Sequence, residues 1–191
     1  MFAKLNKAYH EIEELKEELD ELGEKMGEEL AHVIHEHEAE LDALEKAGVT
    51  GKQVQLQTKL AEHLFEAEVL VAKIGHAEVK FLLDKNIEHV HKLEKMLGAL
   101  RGELAIAVKI IPQLDTPKDK KAKDLAELAK VEHQLKEYQA KLAIIIKDEL
   151  IVAKDLIKCN EDLHTIQDWA AAVSHRAEAK ADAAKDEANL A

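Results

Sequence analysis

The sequence predicts an all-α protein, an elongated antiparallel three-helix coiled-coil bundle with very long helices that dimerises. Three observations predict it. Ala, Leu, Glu and Lys dominate the 191 residues, aromatic residues make up only 3%, and Pro occurs twice, which is the composition of long helices. Helix breakers gather in two places. Elsewhere apolar residues recur three or four positions apart over many turns.

The first break runs from Lys46 to Gln53. Gly48 suits the left-handed position that closes a helix, Thr50 the cap of the next, and Gln53 the return bond to that cap. The second break runs from Ile111 to Asp119. Pro112 interrupts a continuing helix, while Thr116 as cap, Pro117 at the first helical position and Asp119 in the first turn favour a new one. These marks delimit helices at about 3–46, 51–111 and 117–175 in one bundle over 1–175, followed by an Ala-rich charged extension or tail over 176–191.

The third helix holds one heptad frame throughout. Leu128, Leu135, Leu142, Glu149, Leu156, Leu163 and Ala170 share one position; Val131, Tyr138, Ile145, Val152, Cys159, Ile166 and Val173 share the other. Glu149 in that apolar seam reads as a register-fixing polar group. Two stretches carry more apolar width than one seam needs, around Leu82–Ile111 and around Ile144–Ile157. The spare surface predicts a homodimer.

The net charge is −12, and the first fifty residues carry 15 acidic against 5 basic side chains. Such a surface repels phosphate backbones, so no nucleic-acid partner is expected, whereas protein partners could meet the acidic first helix. Lys109, Lys118, Lys120, Lys121 and Lys123 make a local positive tip at the second break that suits an anionic surface. A single cysteine, Cys159, gives no intrachain disulfide, and no run is long and apolar enough for a leader or a membrane span. The expected location is cytoplasmic, with the membrane periphery as the alternative.

No Gly-rich phosphate loop, nucleophile elbow or Cys–His arrangement is present, so neither an enzyme nor a cofactor is expected. Eleven histidines are the compositional oddity. His37 and His89 fall at core-facing positions. Two Glu-x-x-His units, Glu29–His32 and Glu161–His164, together with Glu66 in the same expected layer, are the candidate metal ligands. That set resembles the ligands of ferritin-like di-metal bundles at those positions, which implies a metal-binding bundle. The frame that makes Leu163 a core residue turns His164 to the flank and Glu161 toward solvent, so a solvated face is the reading preferred for both.

Three long helices with a hairpin arm also resemble BAR-type domains in outline, which implies a peripheral membrane-shaping module. Such domains present a basic concave face, whereas the first helix here is acidic. The leading expectation is therefore a non-enzymatic coiled-coil scaffold or assembly protein that acts through helix packing and oligomerisation.

Overall fold

The structure is a computed structural model that describes the backbone of residues 2–190; side chains are described over 10–152 and at 154, 157, 158, 161 and 163–174. All regular structure among the described residues is helical, in the order α1 (Phe2–Lys46), α2 (Lys52–Asp84), α3 (Ile87–Ile110), a 3₁₀ turn (Ile111–Gln113) and α4 (Lys118–Leu190). The chain divides into two units, Met1–Glu149 and Leu150–Ala191.

The helix expected over 51–111 is two helices. Lys85 adopts a left-handed conformation (φ 54°), and its amide donates to the Phe81 carbonyl. Asn86 then caps α3: its side chain accepts from the Glu88 amide at 2.9 Å, while its own amide donates to the Asp84 carboxylate at 2.9 Å. Asp84 also meets His89 Nε2 at 3.0 Å. Short polar side chains at 84 and 86 thus reverse the chain without glycine or proline. His89, read from the sequence as a core-facing, hydrogen-bonded or boundary histidine, is half-buried and bonded within this turn.

The other two turns fall where expected but close differently. The amides of Gly48 (φ 68°) and Val49 donate to the carbonyls of Glu45 and Leu44, the paired bonds of a Schellman stop. Thr50 does not cap α2, because Gly51 (φ 101°) occupies the cap position without a side-chain bond. Gln53 instead reaches the other turn, where its Oε1 accepts from the Asp115 amide at 2.9 Å. Thr116 does not cap α4 either, since its buried hydroxyl has no partner. Pro117 supplies the carbonyl that accepts from the Lys121 amide.

Within residues 1–149 each helix runs antiparallel to the one before it. His37 meets Gln57 across α1 and α2, His63 meets Glu103 across α2 and α3, and Arg101 meets Gln139 across α3 and α4. Between α1 and α4, Glu36, Glu29 and Glu18 pair with Lys123, Lys130 and Lys141, so numbers fall on one helix as they rise on the other. Four helices therefore enclose one core, against the three expected. Leu19, Met26, Leu30 and Val33 come from α1; Leu60, Leu64, Ile74 and Phe81 from α2; Leu93, Leu97, Leu100 and Leu104 from α3; Leu128, Val131, Leu135, Leu142 and Ile145 from α4. Interdigitating three-and-four spacing on all four is what lets these rows mesh.

In the second unit, helix α4 continues through Leu150–Leu190. Its described side chains from Lys154 to Ser174 are all exposed, Ile157, Leu163, Ile166, Trp169 and Val173 included. Among the described side chains, Glu149 is the last buried one. The side chain of Cys159, the tail beyond Ser174 and the segment before His10 lie outside the described side chains.

Replacing Asn86 with Ala tests the turn. Losing the cap is expected to cost about 1 kcal/mol, a melting-temperature drop of about 2–4 °C, with Asn86→Asp near the parent. In an unbroken helix the same change would leave the melting temperature unchanged or raise it, because Ala is the better helix former.

Candidate functional site: a buried histidine–carboxylate cluster

Three polar layers interrupt the core of the first unit. The most elaborate joins α1, α2 and α4 next to two of the turns, and it is built on residues that the helical spacing itself turns inward. His37 lies four residues beyond Val33 on the buried face of α1. Gln57 stands three before Leu60 on α2, and Asp124 four before Leu128 on α4. His37 and Asp124 are fully buried, and Gln57 nearly so.

The Gln57 amide orders the cluster. Its Nε2 donates to Glu40 Oε2 at 2.7 Å and faces His37 Nδ1 at 2.8 Å. Because the amide donates, Nδ1 accepts, and the neutral imidazole carries its proton on Nε2. That nitrogen points toward Asp124 Oδ2 at 3.4 Å, too long for a good bond, so His37 Nε2 and both Asp124 oxygens lack hydrogen-bond partners. Lys120 brings a cation to the cluster, pairing with Glu40 and reaching Glu36 at 3.9 Å. Glu127 completes the acidic ring, with His32 Nδ1 3.5 Å from it.

Burial pushes the Asp124 carboxyl up to about 6, against the pull of Lys120 and with added repulsion from Glu36, Glu40 and Glu127. Burial likewise lowers His37, helped by Lys120 and opposed by Glu40 and Glu36. The pair therefore disfavours charge on both members. Its chemistry is the holding of one proton near neutrality, and a cavity of about 430 Å³ lined by Glu40, Gln57, Gln53, Leu114 and Asp115 lies beside it.

The second layer is Glu78 with Tyr138, both buried, the phenol donating to the carboxylate. Burial raises Glu78, partly offset by that bond. Burial, then the Glu78 charge, raises the Tyr138 phenol. The third is Glu149, bracketed by Lys85 at 2.5 Å and Lys16 at 3.7 Å, a buried polar group in the seam position read from the sequence.

The candidate metal ligands fall elsewhere. Glu29 and His32 line a shallow surface pocket of about 260 Å³ with Lys25, Glu28 and Glu127, and Glu29 pairs with Lys130 at 3.4 Å. Glu66 is exposed and meets Lys73 at 3.7 Å. Its expected layer assumed an unbroken second helix antiparallel to the third. Here α2 and α4 run parallel, with Gln53 level with Asp115 and Glu78 with Tyr138. In the second unit Glu161 and His164 are exposed. Among the described residues, no three His, Cys, Asp or Glu side chains converge to hold a metal ion.

At the lysine tip, Lys120 and Lys123 are taken up by Glu40 and Glu36 of α1, while Lys121 reaches the Pro112 carbonyl at 3.3 Å. Lys109 and Lys118 make no ion pair among the described residues. No helix among those residues is long and apolar enough to cross a membrane. Comparison with protein-family models, curated proteins and solved structures finds no match to this chain.

Asp124 keeps its proton to higher pH folded than unfolded, so the stability this gives is complete below the unfolded value of 3.8 and lost as pH rises through about 6. His37 acts in the opposite sense, its contribution present above its unfolded 6.5 and lost as pH falls through its lowered folded value. Asp124→Asn removes only the first effect. It is expected to raise the melting temperature by a few degrees at about pH 7.5 and to lose that advantage near pH 4. A variant no more stable than the parent at pH 7.5 would show that Asp124 is better solvated than the geometry indicates.

Proposed function

We propose that this chain is a non-enzymatic assembly protein that works by helix packing, with a second copy as its first partner. One observation carries the reading: the row of uncovered apolar side chains on α4 within residues 150–174. Leu163 is 54% exposed, Ile166 61% and Trp169 69%. A soluble helix seldom leaves so continuous a row in water unless another surface covers it.

The row supports self-association because its exposed members Leu163, Ile166, Ala170 and Val173 fall in the single heptad frame that the sequence also runs through Leu156 and Cys159. A parallel pairing of two copies would set Asp162 beside Gln167 and Trp169 beside Ser174 at the flanks, opposing no like charges. The first unit, with its own filled core, then acts as the body carried by the joined helices.

Light scattering coupled to size exclusion tests the proposal. The chain is expected at twice its sequence mass, and Leu163→Asp combined with Ile166→Asp is expected at one, with the helical content of the first unit retained. A single-chain mass for the parent at concentrations up to about 100 µM would overturn it.

A further inference from the structure

A second apolar row lies on the outer side of α2. Phe65, Val69, Ala72, His76, Val79 and Leu83 follow one another at alternating steps of four and three, opposite the row that α2 buries. Phe65 is 57% exposed, Val79 51% and Leu83 80%. Beside this row a groove of about 690 Å³ runs between α2 and α3. Val69, Ala72, Ala77 and Met96 form its apolar floor. Lys73, Lys80, Lys92 and Lys95 stand around it, joined by His76 and His89, and no carboxylate lines it.

Of the contacts between α2 and α3, the His63–Glu103 pair at 2.6 Å lies beyond the Val69 end, and the Asp84–His89 contact at 3.0 Å lies at the turn where His89 lines the groove. Lys80, Lys92 and Lys95 make no ion pair among the described residues, and Lys73 has only the exposed Glu66 at 3.7 Å. In a chain of net charge −12, an apolar trough with a wholly cationic rim is a local inversion of the surface.

We propose that this groove receives an acidic amphipathic helix of a partner protein. The floor takes the partner's apolar ridge, and the lysines meet carboxylates on its flanks, as in helix-in-groove recognition. From Val69 to Lys80 the trough spans about 16 Å, three turns of helix. A drug-sized molecule needs most of its surface enclosed, which an open trough does not provide. The proposal goes beyond the dimer reading and does not depend on the α4 row.

The test uses the full-length chain and a fluorescent synthetic helix of about 20 residues, with leucines at heptad spacing and glutamates at the flanks, against the same peptide carrying lysines. Saturable binding of the glutamate peptide is expected, weakened about tenfold or more by combined Lys80→Glu, Lys92→Glu and Lys95→Glu, and much weaker binding of the lysine peptide. All three positions are exposed, and unchanged melting of the variant confirms its fold. The Leu163→Asp, Ile166→Asp chain should bind the peptide as the parent does, which separates this site from the dimer seam. Equal binding of both peptides, no effect of the lysine reversals, or displacement of the peptide by anionic vesicles would overturn it. So would a fall in particle mass caused by the lysine reversals, because a second copy would then be the occupant.

Discussion

Residues 84–86 reverse the chain, and every later contact of the first unit depends on that reversal. Lys85 in the left-handed region and the Asn86 cap end one helix and start another within two residues. Laid back on α2, α3 delivers the next turn to the end where α1 and α2 join, so that Gln53 reaches Asp115. α4 then starts beside the end of α1 and runs down it, which is what lets Glu36, Glu29 and Glu18 meet successive lysines. Left-handed geometry at a non-glycine residue costs about 1–2 kcal/mol, and the bonds of Asp84, Asn86 and His89 offset it.

The buried polar layers make sense within this arrangement. A sliding helix keeps leucines among leucines, so apolar seams alone define register weakly. Moving α4 by one turn against α1 would part Lys120 from Glu40 and Lys123 from Glu36 and break up the charged ring around the buried Asp124. Glu78 with Tyr138, and Glu149 between Lys16 and Lys85, impose the same condition at two further levels. The His37–Asp124 layer is the least satisfied of the three, and its unpartnered atoms make it the layer most sensitive to protonation.

The helical class was legible in composition and spacing, and the end of α1 and the start of α4 were legible because glycine and proline mark them. The reversal was not, because its signal is a phase slip in place of a breaker. Continuing the α2 row past Phe81 would put Asp84, Glu88 and Lys92 in the core, whereas the buried row of α3 runs Val90, Leu93, Leu97, Leu100 and Leu104. Two helices of different phase, read as one, give the excess apolar width seen over 82–111. His37 and Glu149 could be read as core-facing because their frames were already drawn. Asp124 occupies the frame of Val131 and Tyr138 one heptad earlier, but a charged residue near a turn looks like surface until the opposite helix is placed. Gln57 and Glu78 were hidden for the same reason.

Folding back also determines which faces stay uncovered. A continuous second helix would have one outer face; the hairpin creates a trough between two helices and collects lysines from both around it. The measurement that tests this account most directly is the distance between spin labels at Lys59 and Lys109, read by pulsed electron resonance after replacing Cys159 with serine. The reversed chain predicts a separation of about 20 Å, two packed helices plus label lengths. An unbroken helix would place the labels about 75 Å apart and contradict it.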